Sequence, residues 1–523
     1  MAPMFEPASL IMPGFRFGVH DPSEAERLVK AGVAGFCLYG GTAMETANFI
    51  IRLNKVAARP LLFAADFENG AGSQVSDAVE LVSNLGIGVS ADTDLARLKG
   101  EITAEQARCL GISMVLAPVV DLSLRADNPI VSIRSFGAKA EQVTSMAKAF
   151  IDGIHSRDVA VCLKHFPGHG DTKPDSHLDL AHLLRPLKKV MAEDILPYKR
   201  LCHAAEAVMT GHLVLETADK APATLSRFWT HETLRKALAF DGLIITDALM
   251  MGAMLKHFSE DETVKRAVTA GADILLYPKD PWSAIKTLKT LLHAKETDVR
   301  SLEASAKRVL AARKKVRPLA AFDQQKFKEM ESAHFDSALR LAKECAAWVS
   351  KPMEPKIKTA KILYHELVDE KPHVQDLTAI LAVPQERRLS AGAKRRALEM
   401  TSLMHDQGGG SFLRHLLSGA GLDLIPFGRK MSADPDLSVI VSYHKPRAFS
   451  GKIGFSAKDE RFIEKAVQAN SRSPFLIISF GDPYHLMGLP AKVPALCLFS
   501  GSLASQTSLV DFLRGKLKIK NRF

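Results

Sequence analysis

The sequence predicts an α/β protein built of an N-terminal (β/α)8 TIM-type barrel and a smaller C-terminal α/β sandwich domain. Three observations lead there. The chain has 523 residues, too many for one ordinary core. Short apolar runs recur up to residue 276, with helical stretches between them. A second series of apolar runs begins near residue 361. The expected division is residues 1–316 for the barrel, 317–334 for a linker region and 335–523 for the sandwich.

The strand candidates of the first unit, in order, are Leu10–Ile11 leading to Phe15, Val33–Leu38, Leu61–Ala65, Ile112–Pro118, Val159–Leu163, Ala207–Met209, Leu243–Ile245 and Ile274–Leu276. They total eight, and Val159–Leu163 is a short apolar run of strand length. SEAERLVKAG, METANFIIRLNKVA, AEQVTSMAKAFIDGIHS and DETVKRAVTAG carry apolar residues at helical spacing between them. Strands alternating with helices give a parallel sheet, and eight over about 300 residues close into a barrel. Residues 300–315 read as an amphipathic helix ending that unit, and RPLAAFDQQ breaks the pattern. ESAHFDSALRLAKECAAWVS (331–350) then reads as the helix opening the second unit. Its strand candidates are Lys361–Tyr364, Ala379–Val383, Leu437–Ser442, Phe475–Phe480 and Ala495–Phe499. QGGGS at 407–411 reads as a turn, since no phosphate-binding pattern surrounds it.

Composition narrows the function. An apolar fraction of 47% and a charged fraction of 24% suit a globular protein, and no apolar run is long enough to span a bilayer. The first fifteen residues lack the basic segment and long apolar core of a secretory signal. The six cysteines are scattered without paired spacing, several inside apolar runs, and suit a reducing compartment. A cytoplasmic location is therefore expected. The net charge of +11 is concentrated after residue 310, without any nucleic-acid-binding signature, and reads as a solvated basic face. Neither nucleic acid nor stable membrane insertion is expected, and no pattern specifies an oligomeric state.

Chemistry concentrates in KHFPGHGDTKPDSH, from Lys164 to His177. It leaves the end of the Val159–Leu163 run, where a parallel α/β fold places its active groups. A purely structural loop needs Gly and Pro but not so many ionisable side chains. His165, His169, Asp171 and His177 could ligate a metal, yet no HExxH or paired-cysteine pattern accompanies them, and no metal is expected. Metal-free acid/base chemistry is the third reading. Asp175 and His177 flank Ser176, and a carboxylate can orient a nearby imidazole and raise its pKa. Other polar residues also fall at strand ends: Asp66 and Glu68, Asp121 with Arg134, His212 and Asp247. By spacing alone Asp247 could equally be a helix cap.

KHFPGHGDT followed by DSH resembles the signature of the β-N-acetylglucosaminidase (NagZ-type) branch of glycoside hydrolase family 3. MPGF, VLAPVVD, RSFG, VMTGH, PATLS, GLIITDALMMGA and GADILL follow the family's order through about residue 315. FGDPYHL and VPALCLFS extend the likeness more faintly into the C-terminal part.

The resemblance implies a retaining exo-β-N-acetylglucosaminidase that needs no cofactor. Asp247 would be the nucleophile, and His177 with its partner Asp175 the acid/base. Asp66, Arg134, Lys164 and His165 would contact sugar hydroxyls, while His169 and Asp171 would brace the loop. The expected partner is a small carbohydrate: a GlcNAc-containing muropeptide or a chitooligosaccharide. A β-N-acetylglucosaminide phosphorylase using the same residues, and a non-catalytic amino-sugar-binding protein, are the alternatives. The chain departs from the family at ADFENGAGSQV, where Asn69–Gly70 replaces two glycines and no arginine follows nearby. That leaves one sugar contact of the family without a counterpart there.

Overall fold

A computed structural model describes residues 5–173, 179–294, 299–355, 357, 361–367, 410–427, 435–443, 455–469, 474–490 and 492–523. The first strand forms in two pieces, β1 (Ile11–Met12) and β2 (Gly14–Arg16). Between them Pro13 has no N–H to donate, but its carbonyl accepts from Cys37 N at 2.9 Å. Gly14 is required here: a Cβ would lie 2.3 Å from the Tyr277 ring. Then come β3 (Gly35–Tyr39), β4 (Leu62–Ala65), β5 (Met114–Val115) and β6 (Ala160–Phe166). A small pair, β7 (Thr172–Lys173) and β8 (Ala181–Leu183), precedes β9 (Ala207–Thr210) and β10 (Leu213–Val214). β11 (Leu243–Thr246) and β12 (Leu275–Leu276) complete the unit.

Strands β2, β3, β4, β5, β6, β9 and β11 are neighbours in that order, all parallel. The ring closes through β12. Ile274 bridges Ile245 of β11, Leu275 pairs with Ile11 of β1, and Ala34 N donates to the Ile11 carbonyl. All eight expected strand positions are occupied, and their apolar character follows from burial on both faces. The expected helices form as Pro22–Lys30, Ala43–Val56, Ala140–His155 and Glu260–Ala270. Asp21 caps the first, and Thr42 with Glu45 forms a capping box on the second. Thr93–Leu110, not anticipated, lies against Ala140–His155 so closely that a Cβ on Gly100 would sit 2.3 Å from the Phe150 carbonyl.

Val299–Lys315 is the helix expected at the end of the barrel. The next helix starts earlier than expected, at Gln324, and runs unbroken to Cys345. Asp323 caps it by accepting from Gln325 N and Lys326 N. The sequence around 346–350 does not continue that helix: Ala347–Trp348 form an edge-side strand, β13.

The second sheet adds β14 (Lys361–Leu367), β15 (Asp423–Pro426), β16 (Leu437–Ser442), β17 (Phe475–Ser479), β18 (Ala495–Cys497) and β19 (Asn521–Arg522). Their order is β15, β14, β16, β17, β18, β13, β19, parallel except for β13 against β18. Ala379–Val383 lies outside the described residues. So does most of QGGGS; its last two residues begin the helix Gly410–Gly419 instead of a turn. The two sheets meet through specific polar contacts. Gln106 Nε2 donates to Glu331, Tyr484 Oη lies 2.6 Å from Ser123 Oγ, and Ser83 N donates to the Phe499 carbonyl at 3.2 Å. No described helix is long and apolar enough to cross a membrane.

Candidate active site

The C-terminal ends of the barrel strands surround a cavity of about 180 Å³. Asp66 follows β4, Lys164 and His165 lie within β6, and Asp247 follows β11. Arg134 ends a short helical turn, Ser132–Arg134, on the connection after β5. All five line the cavity, so five of the seven expected site residues come together. Asp175 and His177 lie outside the described residues. The described residues on either side of them pair antiparallel, Thr172 with Leu183 and Lys173 with His182. β8 in turn pairs with β10, which follows His212 at the end of β9.

The cavity wall is organised by charge. Lys164 Nζ lies 2.7 Å from Asp66 Oδ1 and 2.6 Å from Glu68 Oε1. Arg134 donates to both Glu68 oxygens, from Nε at 2.9 Å and from Nη2 at 2.7 Å. Its Nη1 donates to the Ile130 carbonyl at 3.0 Å, which fixes the plane of the fork. Burial alone would raise the Glu68 carboxyl, but Arg134 and Lys164 hold it well below the usual carboxylate range. Burial would likewise lower Lys164, but Asp66 and Glu68 raise it, so it stays charged. The Arg134 guanidinium, held by Glu68 against the same burial, does too.

His165 is fixed on two sides. Its Nδ1 lies 2.8 Å from Asp121 Oδ2 and its Nε2 lies 3.4 Å from Arg134 Nη2. Arginine cannot accept, so Nε2 is the acceptor and Nδ1–H donates to Asp121. Asp121 also accepts from His169 N at 2.8 Å. Burial would raise Asp121, but His165 and His169 keep it lowered. His169 does more than brace the loop. Its Nδ1 meets Thr172 Oγ1 at 3.2 Å, and the ring lines the cavity. Burial pushes this imidazole down to about 3, which keeps it uncharged at neutral pH. Asp171 does brace, facing Arg125 at 3.5 Å.

Asp247 is held at the start of its turn. Its N donates to the Thr210 carbonyl at 2.9 Å, and its Oδ1 accepts from Ala248 N at 2.7 Å. Buried His212 supports that turn, with Nε2 3.0 Å from the Ala248 carbonyl and Nδ1 2.8 Å from Thr224 Oγ1. Glu68 is the principal residue that sequence reasoning missed as part of the site. Its signal was its place two residues after Asp66 at the same strand end. Arg16, Tyr39 and Tyr277 also line the cavity, the Arg16 guanidinium 5.1 Å from the Tyr39 ring centre. They come from the first, second and eighth barrel strands or their ends and had no motif to mark them. Among the described residues, no group of three or more His, Cys, Asp or Glu is arranged to hold a metal ion. No described residue beyond Tyr277 lines the cavity.

The strand ends of this parallel barrel thus gather the carboxylates Asp66 and Asp247, the cations Arg134 and Lys164 and the imidazoles His165 and His169 at the face where barrel enzymes carry out their chemistry. Comparison with known proteins gives the family. Residues 8–312 match the model of the glycosyl hydrolase family 3 N-terminal domain. A β-hexosaminidase from Tolumonas auensis is 32% identical over 290 residues, covering 54% of this chain and 86% of that protein. Among solved structures, a glycoside hydrolase family 3 β-N-acetylglucosaminidase from Paenibacillus sp. superposes with a TM-score of 0.78 at 22% identity, covering 99% of this chain and 97% of the other. The β-glucoside phosphorylase BglX bound to 2FGlc gives 0.82 at 22% identity, covering 99% and 93%. The chain belongs to glycosyl hydrolase family 3 and is a glycoside hydrolase.

Proposed function

We propose that this protein is a retaining exo-β-N-acetylglucosaminidase. The observation that carries the reading is Asp247, at the end of β11, in one cavity with Asp66, Arg134, Lys164 and His165. A carboxylate so placed can attack the anomeric carbon while an acid protonates the leaving oxygen. Asp247 forms the glycosyl-enzyme, and His177, oriented by Asp175, donates the proton and later takes one from water. An imidazole suits both steps near neutrality. Asp66, Lys164, Arg134 and His165 bind the hydroxyls of the terminal sugar through charge-assisted hydrogen bonds, with Glu68 holding the two cations in place. The relatives named β-hexosaminidases support the acetamido sugar as the substrate. The natural substrate we propose is a small GlcNAc-containing fragment of peptidoglycan, processed in cell-wall recycling. The cytoplasm is the proposed compartment, since five of the six free cysteines are buried thiols suited to reducing conditions.

The test is turnover of aryl β-GlcNAc against aryl β-glucoside, with product analysis in the presence and absence of phosphate. A site built for the acetamido group strongly rejects the sugar lacking it. Equal efficiency on both sugars refutes the acetamido reading. GlcNAc 1-phosphate appearing on addition of phosphate favours phosphorolysis by the same residues, because an uncharged imidazole repels an anionic acceptor less than a carboxylate does.

A further inference from the structure

Behind the cavity wall lies a buried amine that the proposed chemistry does not use. Lys99, on the helix Thr93–Leu110, is 0% exposed. Its Nζ donates to Asn69 Oδ1 at 3.0 Å and to Asn84 Oδ1 at 2.6 Å. Both partners are neutral carboxamides, costly company for a buried cation. Burial pulls the ammonium down to about 7, while Cys345, Glu68 and Glu80 face it from neighbouring segments and oppose that shift. The uncharged amine keeps two N–H donors, one for each carboxamide oxygen. Both bonds therefore survive loss of the proton.

The two carboxamides sit directly behind the sugar-binding cations. Asn69 follows Glu68, the residue that anchors Arg134 and Lys164. Asn84 Nδ2 donates to the backbone carbonyl of Arg134 at 2.7 Å. Seven residues along the same helix, Gln106 Oε1 accepts from Ala71 N at 2.7 Å. The helix thus grips this segment on both sides of Gly70. That glycine has φ +75°, and a Cβ on it would lie 2.9 Å from Gln106 Oε1. Asn69, where the family resemblance leads one to expect glycine, gives Lys99 a second acceptor beside Asn84.

We propose that Lys99 is a positioning residue: by tying Asn69 to Asn84 it holds the Glu68 carboxylate and the Arg134 guanidinium in register for sugar binding. The proposal rests on the cavity being the sugar site. Lys99→Met keeps length and apolar bulk but removes every donor. Asn69→Ala removes one acceptor and leaves the bond to Asn84. Rates are read on whichever aryl β-glycoside the wild type turns over, so wild-type selectivity tests the substrate reading separately. In Lys99→Met, kcat/KM should fall roughly 10- to 100-fold, since small misplacements of binding groups cost that much. The loss should appear mainly in KM, with the inhibition constant of the free product sugar rising in parallel. Asn69→Ala should act in the same direction. The double variant should be little worse than Lys99→Met, because both remove one shared interaction. A merely structural lysine gives the opposite pattern: lower thermal midpoints with kcat/KM and product inhibition unchanged per folded molecule. That result, or fully additive effects, overturns the proposal. If Lys99→Met does not fold, Asn69→Ala decides, and an unchanged kcat/KM in it overturns the proposal.

Discussion

Glu68 holds two cations at once, and its side chain is only 12% exposed. Removing its charge strands Arg134 and Lys164 without their common partner. Glu68→Gln should therefore cost about 3 kcal/mol or more of stability, as for other broken buried ion pairs. It should also raise KM, because each cation loses one of its anchors, Lys164 keeping Asp66 and Arg134 the Ile130 carbonyl. Equilibrium denaturation with steady-state kinetics checks both, and a variant of wild-type stability would contradict the network. The proton donor calls for a different readout. His177→Ala should slow cleavage strongly for poor leaving groups, whose oxygen must be protonated, and much less in the first step for nitrophenyl substrates. Asp175→Ala should act in the same direction, since the imidazole loses its orienting partner. Equal slowing of good and poor leaving groups would make His177 a structural residue. At this scale the sequence was most legible where a motif and a strand end coincided, as at Lys164, His165 and Asp247. Glu68 was less so, because a carboxylate that anchors cations looks the same in sequence as one that faces substrate. Only the fold reveals which of two neighbouring acids turns back into the wall.

The elements of the barrel were legible because doubly covered parallel strands must be apolar throughout. The first strand was the weakest signal, and its split at Pro13 explains why. The helix Thr93–Leu110 escaped because it carries buried polar residues, Lys99, Thr103 and Gln106, on a face that periodicity expects to be apolar. Two of them, Lys99 and Gln106, bond to Asn69 and Ala71 in the segment that follows Glu68. The segment after β2 offers a test in pH. His20 Nδ1 accepts from Arg16 N at 2.9 Å, which favours the uncharged ring. Burial and the nearby Arg16 push its pKa down to about 4. Between about pH 4 and 6.5 the unfolded chain binds a proton there that the folded chain does not, so stability rises with pH by up to about 1.4 kcal/mol per unit. His20→Gln should flatten that part of the profile relative to wild type. Unfolding measured from pH 4 to 7 checks it, and parallel profiles would contradict the buried, uncharged His20.

At the scale of the whole molecule, the second sheet reaches the barrel next to the site without lining the described part of the cavity. Tyr484 meets Ser123 two residues after Asp121, and Phe499 meets Ser83 one residue before Asn84. Tyr484→Phe should cost about 1 kcal/mol, the net worth of one such hydrogen bond. Ser123→Ala should cost a similar amount, and the double variant should fall short of their sum. Thermal denaturation of the three variants reads this directly, and strict additivity would mean the contact carries no coupling. The second unit was less legible than the first because its sheet is mixed. The strands β13 and β19 are two residues each, too short for any periodicity to show. Its β15 strand, DLIP, ends in a proline that argues against a strand in sequence, yet it stands at the sheet's edge, where proline is tolerated.

The central claim is that Asp247 attacks the sugar. Its most direct test is trapping with an activated 2-fluoro glycoside followed by peptide mass spectrometry. The sugar should be found on the peptide containing Asp247, and Asp247→Ala should abolish both labelling and turnover while leaving the thermal midpoint close to wild type. A sugar attached instead to Asp66 or Glu68, or full activity in Asp247→Ala, would contradict it.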